Sequence, residues 1–489
     1  MKKLLDVKHL AAAVLAVTLM PQAAMAADDA AAVLRRAATA MGEPKTLRYV
    51  TEGTGYTFGQ AFVPGTAWPK ITVHSQIRTI NYDTGSMREE ITLSRAEPRG
   101  GGGYPLSGQQ RNDQFVSGEH AWNMAGTNPQ PGARFVGDRV HQLWVTPHGA
   151  LRAALRNRAT VKFHTKGGKS IAEVSFTEPG RFSATLFLDG DYLIERVESR
   201  LPDPDMGDVA SVAVYAGYRD AGGVKFPSSI KLSQGGHPTL DVTVKEVQAG
   251  APADIQVPEP VAKAVERVVA ERVADGVWHI AGGSHNSVAI EMKDHMMLVE
   301  TPLFDGRSDL VLAEVTKLGN GKPIRYVVNS HHHFDHSGGL RSAVAAGATL
   351  LVSGPAKAYF ERVLANPNRI RPDSMAKSGR KAKIIAWSAG NVTKKTFSDG
   401  TRSVELHSIT AGGHAEGFTM VYLPKEKLLI EADAYTPLPP NAPVPATPNA
   451  NNVNLVENLE RLKLDVERIL PLHGRVVPLA ELHRTVGRK

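Results

Sequence analysis

The stretch HHHFDHSGG, starting at His331, places four histidines and one aspartate within six residues, directly behind the β-branched run PIRYVVNS. The chain has no cysteine, so imidazole and carboxylate are the groups left to hold a divalent cation. Bonds to zinc of about 2.0–2.2 Å require such short side chains to converge. Extended alternation sets His331, His333 and Asp335 on one side and His332 and Phe334 on the other, with His336 where Ser337, Gly338 and Gly339 open a helix. One tetrahedral ion needs less than this from one loop, so two neighbouring ions are expected. The competing reading is a surface histidine cluster or a capped helix start. Against it stand His414 in AGGHAEGF, Asp433 in LLIEADAY and His473 in LPLHGR, each behind a strand-like segment and placed to point from a sheet edge into a shared cleft.

The order His-x-His-x-Asp-His, Gly-His-x-x-Gly, an Asp closing an apolar strand and a late His-Gly resembles the metallo-β-lactamase superfamily, over residues of about 265–488. The resemblance implies an αββα sandwich with a metal cleft along one edge. It also implies that His331, His333 and His414 hold a first zinc ion and Asp335, His336 and His473 a second, with Asp433 bridging both. Zinc is expected ahead of iron or manganese. Two such ions about 3.5–4 Å apart activate a water for attack on a carbonyl, and Asp335 is the catalytic group that orients the water and passes its proton to the leaving group. No G-x-S-x-G segment offers a serine nucleophile instead.

The sequence departs from the family pattern at two places. Ala432 stands before Asp433 where a glycine is usual, and Ala415 follows His414 where a threonine is often found. Glu416 reads either as a specificity group at the cleft or as an external ion-pairing residue, and Tyr435 either as a donor to a substrate oxyanion or as a packing residue. Both are candidate substrate contacts. His332 reads as a rim or structural residue. His279, His285, His295 and His407 read as structural, with His285 the one placed to approach the cleft. The proline-rich AYTPLPPNAPVPATPNANN, after Asp433, is expected to overhang it.

These residues need a scaffold, and the chain divides into two halves to give one. Residues 27–248 read as short strands and turns, KITVHSQIRTINY, SMREEITLS and ATLFLDGDYLIERVESR among them, with Asp189-Gly190 as a hairpin turn. An antiparallel, curved sheet is expected, preceded by a helix over DDAAAVLRRAATAMG that Asp28 or Asp29 caps and Gly42 stops. Gly168-Lys169-Ser170 ends like a phosphate loop, but Phe163 stands where that motif needs glycine. The proline-rich residues 249–264 read as a linker. Over residues 265–489 short apolar runs such as HMMLVET alternate with helical patterns such as SDLVLAEVTKLG, which predicts a layered domain with buried strands. A strong amphipathic helix is expected over NLVENLERLKLDVERI. The fold class is therefore α+β with two domains. On YRDAGGVKFPSSIKL and the β-run after it, the first half faintly resembles the sheets of periplasmic lipoprotein-carrier and sorting domains.

Residues 1–26 carry Lys2, Lys3 and Lys8, then an apolar run, then Ala24-Met25-Ala26, the pattern of a cleaved secretory signal peptide. The apolar run is shorter than the roughly 20 residues that span a bilayer. A periplasmic or secreted protein without stable membrane insertion is expected. The formal charge of +8 is dispersed along 489 residues rather than gathered in a tract, which argues against nucleic acid as a partner. The expected partner is a small-molecule substrate, and the oligomeric state is left open. Two functions follow: an exported dinuclear zinc hydrolase of an ester, lactone, thioester, amide or β-lactam bond, or a periplasmic carrier of a hydrophobic ligand whose metal domain is idle.

Overall fold

The computed structural model describes residues 20–100, 108–166, 168–388 and 390–488. Most of the leader, residues 1–19, thus lies outside the described residues. Among the described residues no helix is long and apolar enough to cross a membrane.

The first half is built on one antiparallel sheet of 13 strands. Thr46–Tyr56 begins it and His237–Ala249 ends it, and these two pair with each other, so the sheet is two meanders joined through its first and last strands. Alternation in Phe182–Leu188 is strict, with every second residue buried, as a half-buried strand requires. The hairpin there is real, but its turn spans residues 189–193, because the Asp189 carboxylate accepts from the amides of Asp191 and Leu193. The phosphate-loop look-alike at Gly168 is the turn between the paired strands Thr160–Lys166 and Lys169–Glu178.

One face of this sheet is covered by the helices Met20–Met41, Val136–Trp144 and Pro147–Arg156. Leu34, Met41, Leu143 and Leu151 from them share a single core with Leu47, Ile80, Val174 and Leu186 of the strands. Among the described residues the first helix covers Met20–Met41 and so runs through Asp28 and Asp29, and neither aspartate caps it. The alanine-rich run before them has the best helix propensity. Gly42 stops it as expected, at a φ of +81°. The stretch 249–264 does not hang free between the halves: Ala251 and Val261 are buried, and Glu259–Ala262 is a short helix.

The second half contains a seven-stranded and a six-stranded sheet. In the first, Val269–Ala274, Val277–Ala281, Ser287–Glu291 and Met296–Val299 are antiparallel, and Ile324–Val328, Thr349–Ser353 and Lys383–Ser388 continue in parallel. In the second, Leu428–Glu431 pairs antiparallel with Thr419–Leu423 and parallel with Arg468–Pro471. Met297, Val299, Val328 and Leu351 meet Leu406, Met420 and Ile430 in a core shared by the two sheets. Their neighbours Leu298, Val327, Leu350 and Val352 point the other way, onto Val311, Val315 and Leu340 of covering helices. Burial on both faces is why these strands read as continuous apolar runs rather than alternating ones. On the second sheet Leu455, Leu459 and Leu482 supply the helical cover.

Asp305–Leu318 is the expected helix and Gly319 closes it. The later amphipathic helix is shorter than its pattern suggested. It runs over Ala450–Leu462, capped by the Asn449 side chain, and stops at Lys463, whose φ of +53° turns the chain away toward Arg468–Pro471.

Candidate metal centre

The strand Ile324–Val328 delivers the histidine motif to the edge of the first sheet. His331 and His333 follow in extended chain, and the one-turn helix Phe334–Ser337 then swings Asp335 and His336 out of that alternation. Its turn is closed by the amides of His336 and Ser337, both donating to the carbonyl of His333 at 3.0 Å. Asp433 stands just past Leu428–Glu431 and His473 just past Arg468–Pro471, adjacent parallel strands of the second sheet, which brings both to the same edge. His414 comes from the loop between Ser403–Ser408 and Thr419–Leu423.

The tertiary structure gathers these residues into two groups, His331, His333, His414 and Asp433 in one, and His285, Asp335, His336 and His473 in the other, with the donor atoms of each group within 4.8 Å of one another. Asp433 belongs to both in effect. Its Oδ2 lies 2.8 Å from His414 Nε2, and its Oδ1 lies 3.0 Å from His336 Nε2 and 2.8 Å from His473 Nε2.

Hydrogen bonds outside each group set which ring nitrogen faces in. His336 Nδ1 donates to Glu300 Oε2 at 2.7 Å and His473 Nδ1 to the Ser284 carbonyl at 2.9 Å, so each turns its Nε2 inward, toward Asp433 Oδ1. The Ser330 hydroxyl donates to Glu300 Oε1, so it accepts from His331 Nδ1 at 2.8 Å, and His331 also turns a bare Nε2 inward. His333 Nε2 donates to the Ala61 carbonyl at 3.0 Å, so Nδ1 is its free nitrogen. That Nδ1 is buried with no hydrogen-bond partner, as is Nδ1 of His414. The Nε2 atoms of His331 and His414 lie 3.1 Å apart, as do those of His336 and His473. Two lone pairs at that distance repel unless a proton or a metal lies between them.

Electrostatics point the same way. Burial, helped by neighbouring imidazoles, holds His331 and His333 well below the usual histidine range, the neutral form that metal ligation needs. Burial also works against charge on His336, but the carboxylates of Glu300, Asp433 and Asp335 outweigh it and raise its pKa well above normal. For His473 Asp433 outweighs burial in the same way. Burial alone would raise Asp335 and Asp433, yet the surrounding imidazoles, His336 foremost, hold both well below the carboxylate range. Buried carboxylates here draw positive charge into the places that cations would take, and the donor set fits divalent metal.

All seven residues of the expected ligand set are therefore brought together. His285, expected to be structural, is drawn in as well. It is 8% exposed, with Nε2 3.2 Å from Asp335 Oδ2 and its ring 4.2 Å from that of His473. His332 stays outside both groups and donates to the Ala61 carbonyl at 2.8 Å. His279 bonds the Pro471 carbonyl, while His295 and His407 sit against Asp294 and Glu405. Tyr435 does not offer a donor to the cleft. It is fully buried in the core of the second half, with its phenol near Thr485 and Glu481, because Glu431 accepts its amide and folds the chain inward behind the strand. The Glu416 side chain is exposed, and its amide donates to the Phe62 carbonyl at 2.7 Å. Ala432 is fully buried beside Asp433, so a methyl fits there. The proline-rich loop lies beside His473, where the Leu438 carbonyl accepts from Arg475 at 3.3 Å.

Two residues of this centre escaped the sequence reading. Glu300, fully buried at a φ of +68°, ties His336 to the Ser330 amide and hydroxyl. A carboxylate closing the apolar run HMMLVET was the available signal. Gln60, 275 residues before Asp335, donates its Nε2 to Asp335 Oδ1 at 2.7 Å, and nothing in its own sequence marks it. A cavity of about 580 Å³ opens beside Asp335 and His285, between Phe58, Arg134 and Phe135 of the first half and Phe304 of the second.

No curated protein matches the sequence. Among solved structures, a metallo-β-lactamase from Pontibacter korlensis is similar at 15% identity over 45% of this chain and 98% of its own, with a TM-score of 0.35. One from Hirschia baltica is similar at 16% identity over 45% of this chain and 97% of its own, with a TM-score of 0.34. The family model described as metallo-beta-lactamase superfamily matches residues 280–473, a span that includes His285, Glu300 and all seven expected ligands. Residues 280–473 are the part of this chain that is similar to the metallo-β-lactamase superfamily.

Proposed function

We propose that the chain is an exported, dinuclear zinc-dependent hydrolase of a small molecule, cleaving a carbonyl-type bond: ester, lactone, thioester or amide, β-lactam included. One observation carries this reading: two adjacent donor groups share Asp433, which turns one carboxylate oxygen to each. His331, His333, His414 and Asp433 would hold one ion, and Asp335, His336, His473 and Asp433 the other, with His285 beside the second. Zinc so held supplies Lewis acidity for a carbonyl oxygen and a water acidified to near neutral pH.

The chain's own residues do the rest. Glu300, Ser330 and the Ser284 carbonyl hold the imidazoles in the required tautomers, the arrangement by which outer partners raise ligand basicity. Asp335, held on Oδ1 by Gln60 and facing His285 with Oδ2, is placed to take a proton from water and return it to the leaving group. The cavity beside it would receive the rest of the substrate.

On this reading residues 265–489 form an αββα sandwich, residues 27–248 a second domain, and residues 1–26 a leader that directs export. The carrier alternative is less well supported by the first half: helices close one face of its sheet, and the cavity of about 220 Å³ against it sets the charged Arg78 and Glu89 among apolar Ile71, Val73, Ile91 and Leu240.

The test is zinc content together with hydrolysis of a panel of chromogenic ester, lactone, thioester and β-lactam substrates, with His333→Ala as control. Two zinc ions per chain and chelator-sensitive turnover are expected. Protein purified without chelator that carries no metal, or turnover retained by His333→Ala, would overturn the reading.

A further inference from the structure

Residues 57–69 connect the strands Thr46–Tyr56 and Lys70–Asn81 of the first half, yet residues 59–62 find hydrogen-bond partners in the second. Four successive residues, 59–62, each reach across. The Gly59 carbonyl accepts from the Phe334 amide at 3.3 Å, Gln60 Nε2 donates to Asp335 Oδ1 at 2.7 Å, the Ala61 carbonyl accepts from His333 Nε2 at 3.0 Å, and the Phe62 carbonyl accepts from the Glu416 amide at 2.7 Å. The segment thus binds both histidine motifs at once.

It is docked, not draped. Ala61 and Trp68 are buried in the same core as Phe334 and Leu340. The Phe58 ring meets Phe334 edge-on at 5.2 Å between centroids. Gly59 sits at a φ of +76°, and a Cβ there would fall 2.4 Å from Phe334 Cγ, so the approach tolerates only glycine.

We propose that this segment is a working part of the metal centre: Gln60 is a positioning residue for Asp335, and the Ala61 carbonyl fixes the tautomer of His333. The inference rests on the dinuclear reading above and gives the first half a role within it. An ionised carboxylate has two oxygens, and Gln60 occupies one, which leaves Oδ2 for the side shared with His285 and His336. The Ala61 carbonyl can only accept, so His333 must carry its proton on Nε2 and present Nδ1. Outer-shell partners of this kind are worth about 10–100-fold in metal affinity.

The test uses the full chain and zinc itself. Affinity for each equivalent is read by competition with a chromophoric chelator, and cobalt(II) in the second position reports its coordination by visible absorption. Gln60→Ala, and Gln60→Met as the variant that keeps bulk and removes the donor, are compared with wild type. Both are expected to bind the first equivalent normally, to bind the second about 10–100-fold more weakly, and to show an altered cobalt spectrum, with heat unfolding of the metal-free protein unchanged. Should Gln60→Ala fail to fold, Gln60→Met decides. Second-equivalent affinity within twofold of wild type in a folded variant would overturn the proposal. A wild-type protein that takes up no zinc would instead overturn the hydrolase reading, and this inference with it.

Discussion

Glu300→Gln tests the logic of the centre with the smallest change of shape. Glu300 lies at the end of a buried strand at a φ of +68°, so a side chain of the same length is chosen to leave the backbone as it is. One carboxylate oxygen accepts from the Ser330 amide at 3.1 Å and from its hydroxyl, and the other accepts from His336 Nδ1 at 2.7 Å. A carboxamide has only one acceptor oxygen. If that oxygen stays with Ser330, the new NH₂ meets the His336 N–H, and relief requires His336 to move its proton to Nε2, the atom it turns toward Asp433. If the oxygen faces His336, the NH₂ meets the Ser330 amide. Either way a buried donor faces a donor, at a cost of about 1–3 kcal/mol. With 1.36 kcal/mol per decade this is on the order of 10–100-fold, in line with outer-shell substitutions at other metal sites. Competition with a chromophoric chelator on the full chain should show that loss in zinc affinity, with turnover falling in parallel. Glu300→Gln that is folded and binds both equivalents as wild type does would refute the reasoning, because the tautomer of His336 would then not depend on Glu300.

His285→Ala should weaken the second zinc equivalent by at least about tenfold and spare the first, which per-equivalent titration will show; equal affinities would return His285 to a structural role. In the first half, burial pulls the pKa of His141 and His148 down to about 4 from the usual 6.5 of a histidine. Their neutral forms are favoured by folding, so this stability is complete above pH 6.5 and is lost as pH falls toward 4, by up to about 3 kcal/mol for each. Urea midpoints of the metal-free protein across that range should fall, and His141→Gln should flatten the slope; a parallel slope in the variant would show that His141 does not contribute.

Much of the centre was legible because its signals are local. The spacing of His331, His333, Asp335 and His336 lies within one loop, and His414, Asp433 and His473 each stand at or just beyond a strand end or in a loop beside one. A polar residue closing an apolar run marks a sheet edge wherever the partner strand lies. Tyr435 was less legible, since its direction depends on Glu431 capturing its amide. The helix ending at Leu462 was overextended because the amphipathic pattern of KLDVERI continues past a residue, Lys463, that the tertiary path forces into left-handed geometry.

By itself the sequence determined the types and order of the candidate ligands and the change of pattern between the two halves, for each follows from residue chemistry and short-range periodicity. Only the tertiary structure decided that Asp433 turns one oxygen to each group, that Glu300 sets the tautomer of His336, and that Gln60 and Ala61 reach across from the first half. Hydrogen bonds between residues more than 270 positions apart leave no trace in local pattern. A glutamine in a loop carries no signal of its own until the fold sets a carboxylate 2.7 Å away.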